Sequence, residues 1–343
     1  MKALRKIRPE RGLEFVDVDV PVPSSTDEVL VRVTATGICG SDLHVDNWTS
    51  SYTFIAASLP VTLGHEFVGV VRSGQWNGRR VVVRPSVTCG QCEACVAGNH
   101  DACERRTGIG MTRNGAFAPW VCVPLRNCVP VPDTVPDHLA ALAEPLSISM
   151  QALRIAGEVR GKTVLVMGPG TIGQGIAVLA RRAGAARVAI SGQDDDARLD
   201  VLRRMGFECV FDVARTSLAD AVIQWAGHNA VDLVFEATGV PETITEVMPL
   251  MRRDGVVVAT GIHARPLSID LTSMVRRQIQ LRGSFRPPES NWPQALELLG
   301  EIADVITPMV SHVLPLARAL EGVALAHAKH ASKVLLCPEP ADG

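Results

Sequence analysis

The sequence lacks the features that would place the protein in a membrane or on a nucleic acid. Its 343 residues contain no apolar run of about 18 residues, the length that spans a bilayer. With 34 basic and 36 acidic residues, the formal charge is only -2, so nothing favours a polyanionic partner. The basic start MKALRKIRPERGLEF has no apolar core of signal-peptide length. We expect a cytoplasmic protein with a small polar substrate and neither a nucleic-acid nor a membrane partner.

The length of the chain and its pattern of strand, turn and helix signals predict two domains. A single hydrophobic core stops growing at roughly 250 to 300 residues. Up to residue 146, valine-rich runs such as EVLVRVTATG and RRVVVRPSV alternate with Gly and Pro, which is typical of strands between turns. From residue 147, strands, Gly-rich turns and amphipathic helices follow one another, which indicates a doubly wound parallel sheet. After QIQLRGSF a helical stretch and short strands should rejoin the first domain, so we predict a mainly β domain of residues 1–146 and 286–343 and an α/β domain of residues 147–285.

Four of the nine cysteines, Cys89, Cys92, Cys95 and Cys103, lie in one polar loop with the spacing C-x2-C-x2-C-x7-C. Four thiolates can surround one zinc ion tetrahedrally and leave no position open, which is typical of a structural site. An iron–sulfur cluster and four unligated thiols are the alternatives. Zinc is favoured, because closely spaced free cysteines are prone to oxidation.

Three other segments, GICGSDLH, GHEFVG and AEPL, carry residues of the types that bind a catalytic metal or move protons. Cys, His and carboxylate together form a mixed and incomplete ligand set, which leaves a position for water or substrate. Taken singly, Cys39 could be a small buried apolar residue and Glu144 a carboxylate at a helix N-terminus. The candidates are Cys39, Ser41, His44, His65, Glu66 and Glu144.

The segment GPGTIG follows the apolar run TVLVM and opens a helical pattern, the context of a dinucleotide-binding turn. Gly168, Gly170 and Gly173, with Thr171 and Ile172 between them, should bring the pyrophosphate to the helix N-terminus. The acidic residue expected about 20 positions later, which would bind the adenosine ribose, is replaced by Gly192.

The residues after Gly192 leave the choice between NAD and NADP open. Asp194 could bind the ribose hydroxyl, whereas Arg198 and the empty Gly192 position could accept a 2′-phosphate. Three adjacent carboxylates, residues 194–196, would repel a phosphate or else cap the next helix. NAD is therefore the preferred cofactor, with NADP possible.

Together, GICGSDLH, GHEFVGVV, the four-cysteine loop, NGAFAPWVCVP and GPGTIG resemble the zinc-containing medium-chain dehydrogenase/reductase superfamily over nearly the whole chain. Within it, the sequence is similar to the polyol (sorbitol-like) dehydrogenases and the L-threonine 3-dehydrogenases. The resemblance implies a GroES-like, mainly β catalytic domain and a Rossmann dinucleotide-binding domain, which is an α/β fold. It also implies two zinc ions per chain.

The resemblance also implies roles for individual residues. Cys39, His65 and Glu66 would bind the catalytic zinc, and Glu144 would either join them or hold the zinc-bound water. Ser41 and His44 would relay a proton through the nicotinamide ribose, whereas Asp42 is expected to be structural. The segments GVVVATGIH and GSF resemble parts of the nicotinamide site and nominate Thr260, Gly261, Ile262, Ser284 and Phe285.

The predicted function is zinc-dependent hydride transfer between a secondary alcohol and NAD(P). A sugar alcohol or other polyol is the first expected substrate and L-threonine the second, because EPLSISMQAL departs from the threonine dehydrogenase pattern after Glu144. A non-catalytic nucleotide-binding protein that retains the fold is the alternative of another class. The apolar strand QIQLRGSF and the resembled families also predict a homo-oligomer, either a tetramer or a dimer.

Overall fold

The N-terminal part of the molecule is built mainly from short strands. The structure is a computed structural model that describes residues 1–338. In its longest strand, EVLVRVTATG, buried and half-buried residues alternate over most of the length, as in a strand with one face on the core. The strands are β1 (Lys2–Lys6), β2 (Glu14–Asp17), β3 (Glu28–Gly37), β4 (Val61–Thr62), β5 (Glu66–Val71), β6 (Arg80–Val83), β7 (Ser86–Val87), β8 (Thr107–Gly108), β9 (Trp120–Pro124) and β10 (Cys128–Pro130). The helices are α1 (Gly40–Asp46), α2 (Glu93–Val96) and α3 (Asp137–Ala140).

The middle of the chain forms a six-stranded sheet in which all neighbouring strands are parallel. Its strands are β11 (Thr163–Met167), β12 (Arg187–Gly192), β13 (Val210–Asp212), β14 (Val231–Glu236), β15 (Met251–Ala259) and β16 (Gln280–Gly283). Its helices are α4 (Ala143–Ala156), α5 (Thr171–Arg182), α6 (Asp196–Arg204), α7 (Leu218–Ala226), α8 (Pro241–Val247) and α9 (Leu271–Arg277). The order β13-β12-β11-β14-β15-β16 is that of a Rossmann fold. This confirms the predicted α/β class and the doubly wound sheet.

The C-terminal residues return to the first sheet. They form α10 (Asn291–Glu301), α11 (Ala303–Ile306), α12 (Ala319–His327), β17 (Val310–Pro315) and β18 (Lys333–Cys337). β18 runs antiparallel to β3 and parallel to β17, and completes a sheet of order β10-β6-β5-β3-β18-β17, with β9 also paired to β3. The last five residues of the predicted C-terminal range, 339–343, lie outside the described residues. No helix in residues 1–338 is long and apolar enough to cross a membrane.

Helix α4 joins the two sheets. Its residues Leu146 and Ala152 belong to one buried apolar cluster with Val68 of β5, Val164 of β11 and Ile176 of α5. The start of α4 therefore lies between the mainly β part and the parallel sheet. A cleft lies beside the carboxyl ends of the parallel strands, where ligands bind in doubly wound folds.

Candidate active site and metal centres

Three of the predicted catalytic metal ligands converge. The ligand atoms of Cys39, His65 and Glu66 all lie within 4.8 Å of one another. Cys39 immediately precedes α1, and Glu66 opens β5 opposite Gly37 of β3, so the pairing of β3 with β5 brings the two segments together. His65 and Glu66 are buried, whereas Cys39 is half-buried. One thiol, one imidazole and one carboxylate form a donor set that fits zinc.

The surroundings of His65 favour a cation. Burial acts to lower the pKa of this imidazole, but the neighbouring Asp42 and Cys39 outweigh it and raise the pKa well above its usual value. Asp42 and Cys39 thus both favour positive charge at this ring. The same groups would stabilise a zinc ion bound to it.

Asp42 is a functional candidate that the sequence analysis treated as structural. It is fully buried, and its Oδ2 accepts a hydrogen bond from the N–H of Cys39 at 2.9 Å. Its Oδ1 lies 3.6 Å from Nδ1 of His65, and Nε2 of this ring lies on the side of Ser41. A carboxylate behind a ligating histidine fixes the ring orientation. Its position three residues after Cys39, in the first turn of α1, was the available indication.

Glu144 lies in the first turn of α4, outside the compact set of three ligands. Desolvation raises its pKa to about 7, with Glu66 acting in the same direction and His65 opposing it. This carboxyl group can therefore hold or release a proton near neutral pH. The two predicted roles of Glu144, as a metal ligand or as the residue that holds a metal-bound water molecule, both stay predictions.

Ser41 and His44 both line the cleft beside the ligand set. The Oγ of Ser41 lies 3.3 Å from Nε2 of His65, and Nδ1 of His44 lies 3.3 Å from Oγ1 of Thr49. Within residues 1–338, no hydrogen bond joins Ser41 directly to His44, so a relay between them needs a bridging hydroxyl. Burial, followed by the charge of His327, lowers the pKa of His44. His44 is therefore neutral and able to accept a proton at neutral pH.

Tyr52, the only tyrosine of the chain, is a second residue that the sequence analysis missed. It lies in the 3-10 helix Ser50–Ser58, lines the cleft, and stacks on the ring of His44 with centroids 5.4 Å apart. Burial raises its pKa to about 12, the charge of Cys39 adds to this effect, and Ser41 acts in the opposite direction. Its hydroxyl thus stays protonated beside the ligand set. The polar stretch HVDNWTSSY was the only indication in the sequence.

The Gly-rich turn has the geometry needed to approach a nucleotide. Gly168 has a φ of +106°, in the region that favours glycine, and a Cβ on Gly173 would meet the carbonyl oxygen of Gly168 at 1.9 Å. The first turn of α5 therefore packs directly against the backbone of Gly168. Besides Arg198, six of the predicted cofactor residues line the same cleft of about 440 Å³ as Cys39 and Ser41. They are Gly170, Thr171, Ile172, Thr260, Gly261 and Ile262.

The charged residues of the segment after β12 lie in different environments from one another. At Gly192 a Cβ would meet the ring of Pro169 at 2.7 Å, so a side chain is excluded there. Asp194 is exposed and has a left-handed φ of 48°. Asp195 is buried at the N-cap of α6, where its side chain makes no capping bond and instead pairs with Arg198 at 3.1 Å. Of these residues, Arg198 lines the cleft.

The two residues predicted from the GSF segment lie just beyond β16. Ser284 is buried, and its N–H donates a hydrogen bond to the carbonyl oxygen of Ala259 at 2.9 Å. Phe285 is 65% exposed and carries the guanidinium of Arg286 over its ring at 4.7 Å. Their contact with a cofactor stays a prediction.

The four-cysteine loop forms the second candidate metal centre. The Sγ atoms of Cys89, Cys92, Cys95 and Cys103 all lie within 4.8 Å of one another. Hydrogen bonds from the N–H groups of Gln91 and Cys92 lower the pKa of Cys89 to about 6. Four converging thiols, one of them readily ionised, fit a tetrahedral zinc ion with no open position.

Comparisons with known proteins cover both parts of the chain. Residues 25–133 match the alcohol dehydrogenase GroES-like domain, and residues 171–301 match the zinc-binding dehydrogenase family. An L-threonine 3-dehydrogenase from Anaeromyxobacter dehalogenans is 32% identical over 98% of each chain. A Sinorhizobium meliloti 1021 protein solved with NADP bound has a TM-score of 0.85 and 29% identity, covering 98% of this chain and 99% of that one. The L-idonate 5-dehydrogenase of Escherichia coli K-12 has a TM-score of 0.82 and 26% identity over 98% of each chain.

Proposed function

We propose that this chain, which belongs to the zinc-binding dehydrogenases with an alcohol dehydrogenase GroES-like domain, oxidises a secondary hydroxyl of a small polyhydroxylated molecule with NAD(P). One observation carries the proposal. The ligand residues Cys39 and Glu66 open into the same cleft as the Gly-rich turn at Gly170, so a substrate held at the metal would face the nicotinamide end of a bound dinucleotide.

In this mechanism, Cys39, His65 and Glu66 would hold the catalytic zinc, and the four cysteines of the loop would hold a structural one. When bound, zinc lowers the pKa of the substrate hydroxyl and nicotinamide accepts the hydride. Ser41 would take the hydroxyl proton, and His44 would accept a proton from this side of the cleft and release it to solvent. Asp42 keeps the imidazole of His65 in one orientation.

The lining of the cleft favours a neutral, hydroxyl-rich substrate. Around the ligand set, the cleft presents Ser41, His44, Asn47 and Tyr52, which are neutral hydrogen-bonding groups at pH 7. The two lysine and arginine side chains that line it are already bound, Lys333 to Glu66 and Arg198 to Asp195. A polyol needs hydrogen-bond partners and no counter-ion, which suits this lining.

L-threonine is the second candidate, because the relatives at 30% identity or above include L-threonine 3-dehydrogenases. Its carboxylate would need a free cation near the metal. We expect a panel of polyols, sugars and amino alcohols, each tested with NAD and NADP, to give reduced nicotinamide fastest with a polyol. A preference for L-threonine would replace the substrate, and no turnover with any alcohol would support the non-catalytic alternative.

The cofactor domain suggests how copies of the chain assemble. β16 forms one edge of the parallel sheet, and Leu281 on it is 40% exposed. Leu271 and Val275 of the neighbouring α9 are 63% and 67% exposed. An apolar edge of this kind is stabilised when a second copy covers it. We therefore propose a homo-oligomer, a dimer or tetramer, and a monomer in light scattering would contradict this.

We also propose that the protein is cytoplasmic. None of the nine cysteines, all of which lie within residues 1–338, is in a disulfide. A reducing compartment preserves thiols in this state. Subcellular fractionation of the native host, with detection by an antibody against the chain, tests the location. Recovery of the protein outside the cytoplasmic fraction would overturn the proposal.

A further inference from the structure

Lys333, the first residue of β18, is a buried cation beside the candidate catalytic metal site. It is 1% exposed, and its Nζ donates hydrogen bonds to Oε2 of Glu66 at 2.6 Å and to the carbonyl oxygen of Ile38 at 2.9 Å. Ile38 directly precedes Cys39. The ammonium group therefore contacts both segments that supply metal ligands. A buried ammonium needs such partners, because desolvation would otherwise disfavour its charge.

The contacts of the neighbouring residues and of β18 hold Lys333 next to Glu66. The hydroxyl of the preceding residue, Ser332, exchanges hydrogen bonds with the amide of Gln174 in α5 at 2.8 Å and 3.0 Å. Lys333 itself is fixed in β18, between β3 and β17. The cofactor domain and the sheet thus hold the lysine in place from both sides.

The carboxylate of Glu66 is confined as well. A Cβ on Gly37 would meet its Oε2 at 2.3 Å, so the backbone of β3 lies directly against this oxygen. Oε2 therefore lies between the backbone of β3 and the ammonium group of Lys333. The Oε1 atom is the one left to bind a cation while Oε2 stays with Lys333.

Charge makes this contact more than structural. Zinc and the ammonium group are both cations, and they attract the same carboxylate. Because Lys333 also binds Glu66, this carboxylate binds zinc less strongly as long as Lys333 is charged. A ligand held less firmly can leave the metal when a substrate oxygen approaches.

We propose that Lys333 is a positioning residue that holds one oxygen of Glu66, weakens the hold of this carboxylate on the catalytic zinc, and so keeps one coordination position exchangeable. This inference rests on the proposed function, since it takes Glu66 as a zinc ligand. It predicts that loss of the lysine strengthens zinc binding while it slows turnover. A lysine that only supported the fold would give weaker zinc binding when removed.

The test compares Lys333→Met, which has a similar length and no charge, with Lys333→Arg, which keeps the charge. Zinc affinity of the full chain is measured by competition with a chromophoric chelator, together with the visible spectrum of the cobalt-substituted protein. We expect Lys333→Met to bind the catalytic zinc at least about ten-fold more tightly, with kcat reduced and the cobalt spectrum altered. Lys333→Arg should stay close to the wild type in all three measurements. Unchanged or weaker zinc binding in Lys333→Met would overturn the inference.

Glu66→Gln provides the matched background. A neutral amide is not shared between two cations in the same way, so Lys333→Met added to Glu66→Gln should change zinc affinity by less than about two-fold. The double variant also removes both buried charges, which keeps the test valid if Lys333→Met alone does not fold. A large further change in that background would overturn the inference. A wild-type chain that binds only one zinc ion would instead overturn the proposed function itself.

Discussion

Replacing His44 by glutamine separates proton transfer from metal binding. Glutamine can keep a hydrogen bond to Oγ1 of Thr49, but it has no ring to stack on Tyr52 and does not titrate. Loss of the stacked pair costs about 0.5–1.5 kcal/mol, which is small against the roughly 5–15 kcal/mol that holds a folded protein together. The variant should therefore fold and keep its zinc. Loss of a proton-transfer group should lower kcat by about 10²–10⁴-fold, equivalent to about 3–5 kcal/mol in the barrier.

The pH dependence identifies the group. Burial and the charge of His327 lower the pKa of His44, so the neutral ring remains available as a base somewhat below the usual value of about 6.5. The deficit of the variant should be greatest near and below neutral pH and should narrow as solvent hydroxide rises. Because the unfolded chain binds this proton more tightly, His44 also costs stability as pH falls below about 6.5, and the glutamine variant lacks that loss.

The assay is steady-state turnover across pH, with zinc content and equilibrium binding of the reduced cofactor measured on the same samples. His228→Gln, at an exposed histidine of the cofactor domain, is the matched control and should behave as wild type. Imidazole added to the buffer should restore part of the rate to His44→Gln only. Full activity with an unaltered pH profile would refute the relay. Ser41 would then exchange its proton directly with water, and His44 would leave the list of catalytic residues.

Three further variants test the other parts of the site. Cys95→Ser should lose one of two zinc ions and melt at a lower temperature, because metal coordination contributes to folding; unchanged melting would contradict a structural centre. Asp42→Asn should lower affinity for the catalytic zinc by about 10–100-fold in chelator competition, and wild-type affinity would leave Asp42 a purely structural residue. Gly173→Ala should abolish cofactor binding in fluorescence titration, since its Cβ would meet Gly168 at 1.9 Å; normal binding would show that the turn can shift.

Features formed by residues that are close together in the sequence could be predicted from it. Two such features are the turn GPGTIG, between a buried strand and a helix, and the loop with four cysteines. All the residues that form each of them are close together in the sequence. The alternation of β3 likewise gives its buried face without knowledge of its neighbours. Local backbone preference and spacing determine such features, so the structure has them where the sequence indicated.

Features that depend on register between distant segments could not be predicted. Asp42 meets His65 only because β3 and β5 pair with Gly37 opposite Glu66. The pair of Lys333 and Glu66 spans 267 positions, and β18 must enter the sheet beside β3 before it can form. Nothing in the neighbouring sequence of either residue specifies its partner. Side chains that meet across a sheet are therefore where the sequence analysis missed functional candidates.

The segment 326–333 connects the two halves of the cleft through hydrogen bonds. Carbonyl oxygens of Ala326 and Ala331 accept hydrogen bonds from Arg198 at 3.2 Å and 3.0 Å, on the side of the cleft after β12. Lys329 donates a hydrogen bond to the carbonyl oxygen of Gln193 at 2.8 Å, in the loop that follows β12. At its other end, the same segment supplies Lys333 to Glu66. One short stretch of backbone thus contacts both the loop after β12 and Glu66, the proposed metal ligand. Hydride transfer requires the two reacting centres to be held about 3–3.5 Å apart, and this shared segment, together with α4, holds one half of the cleft against the other.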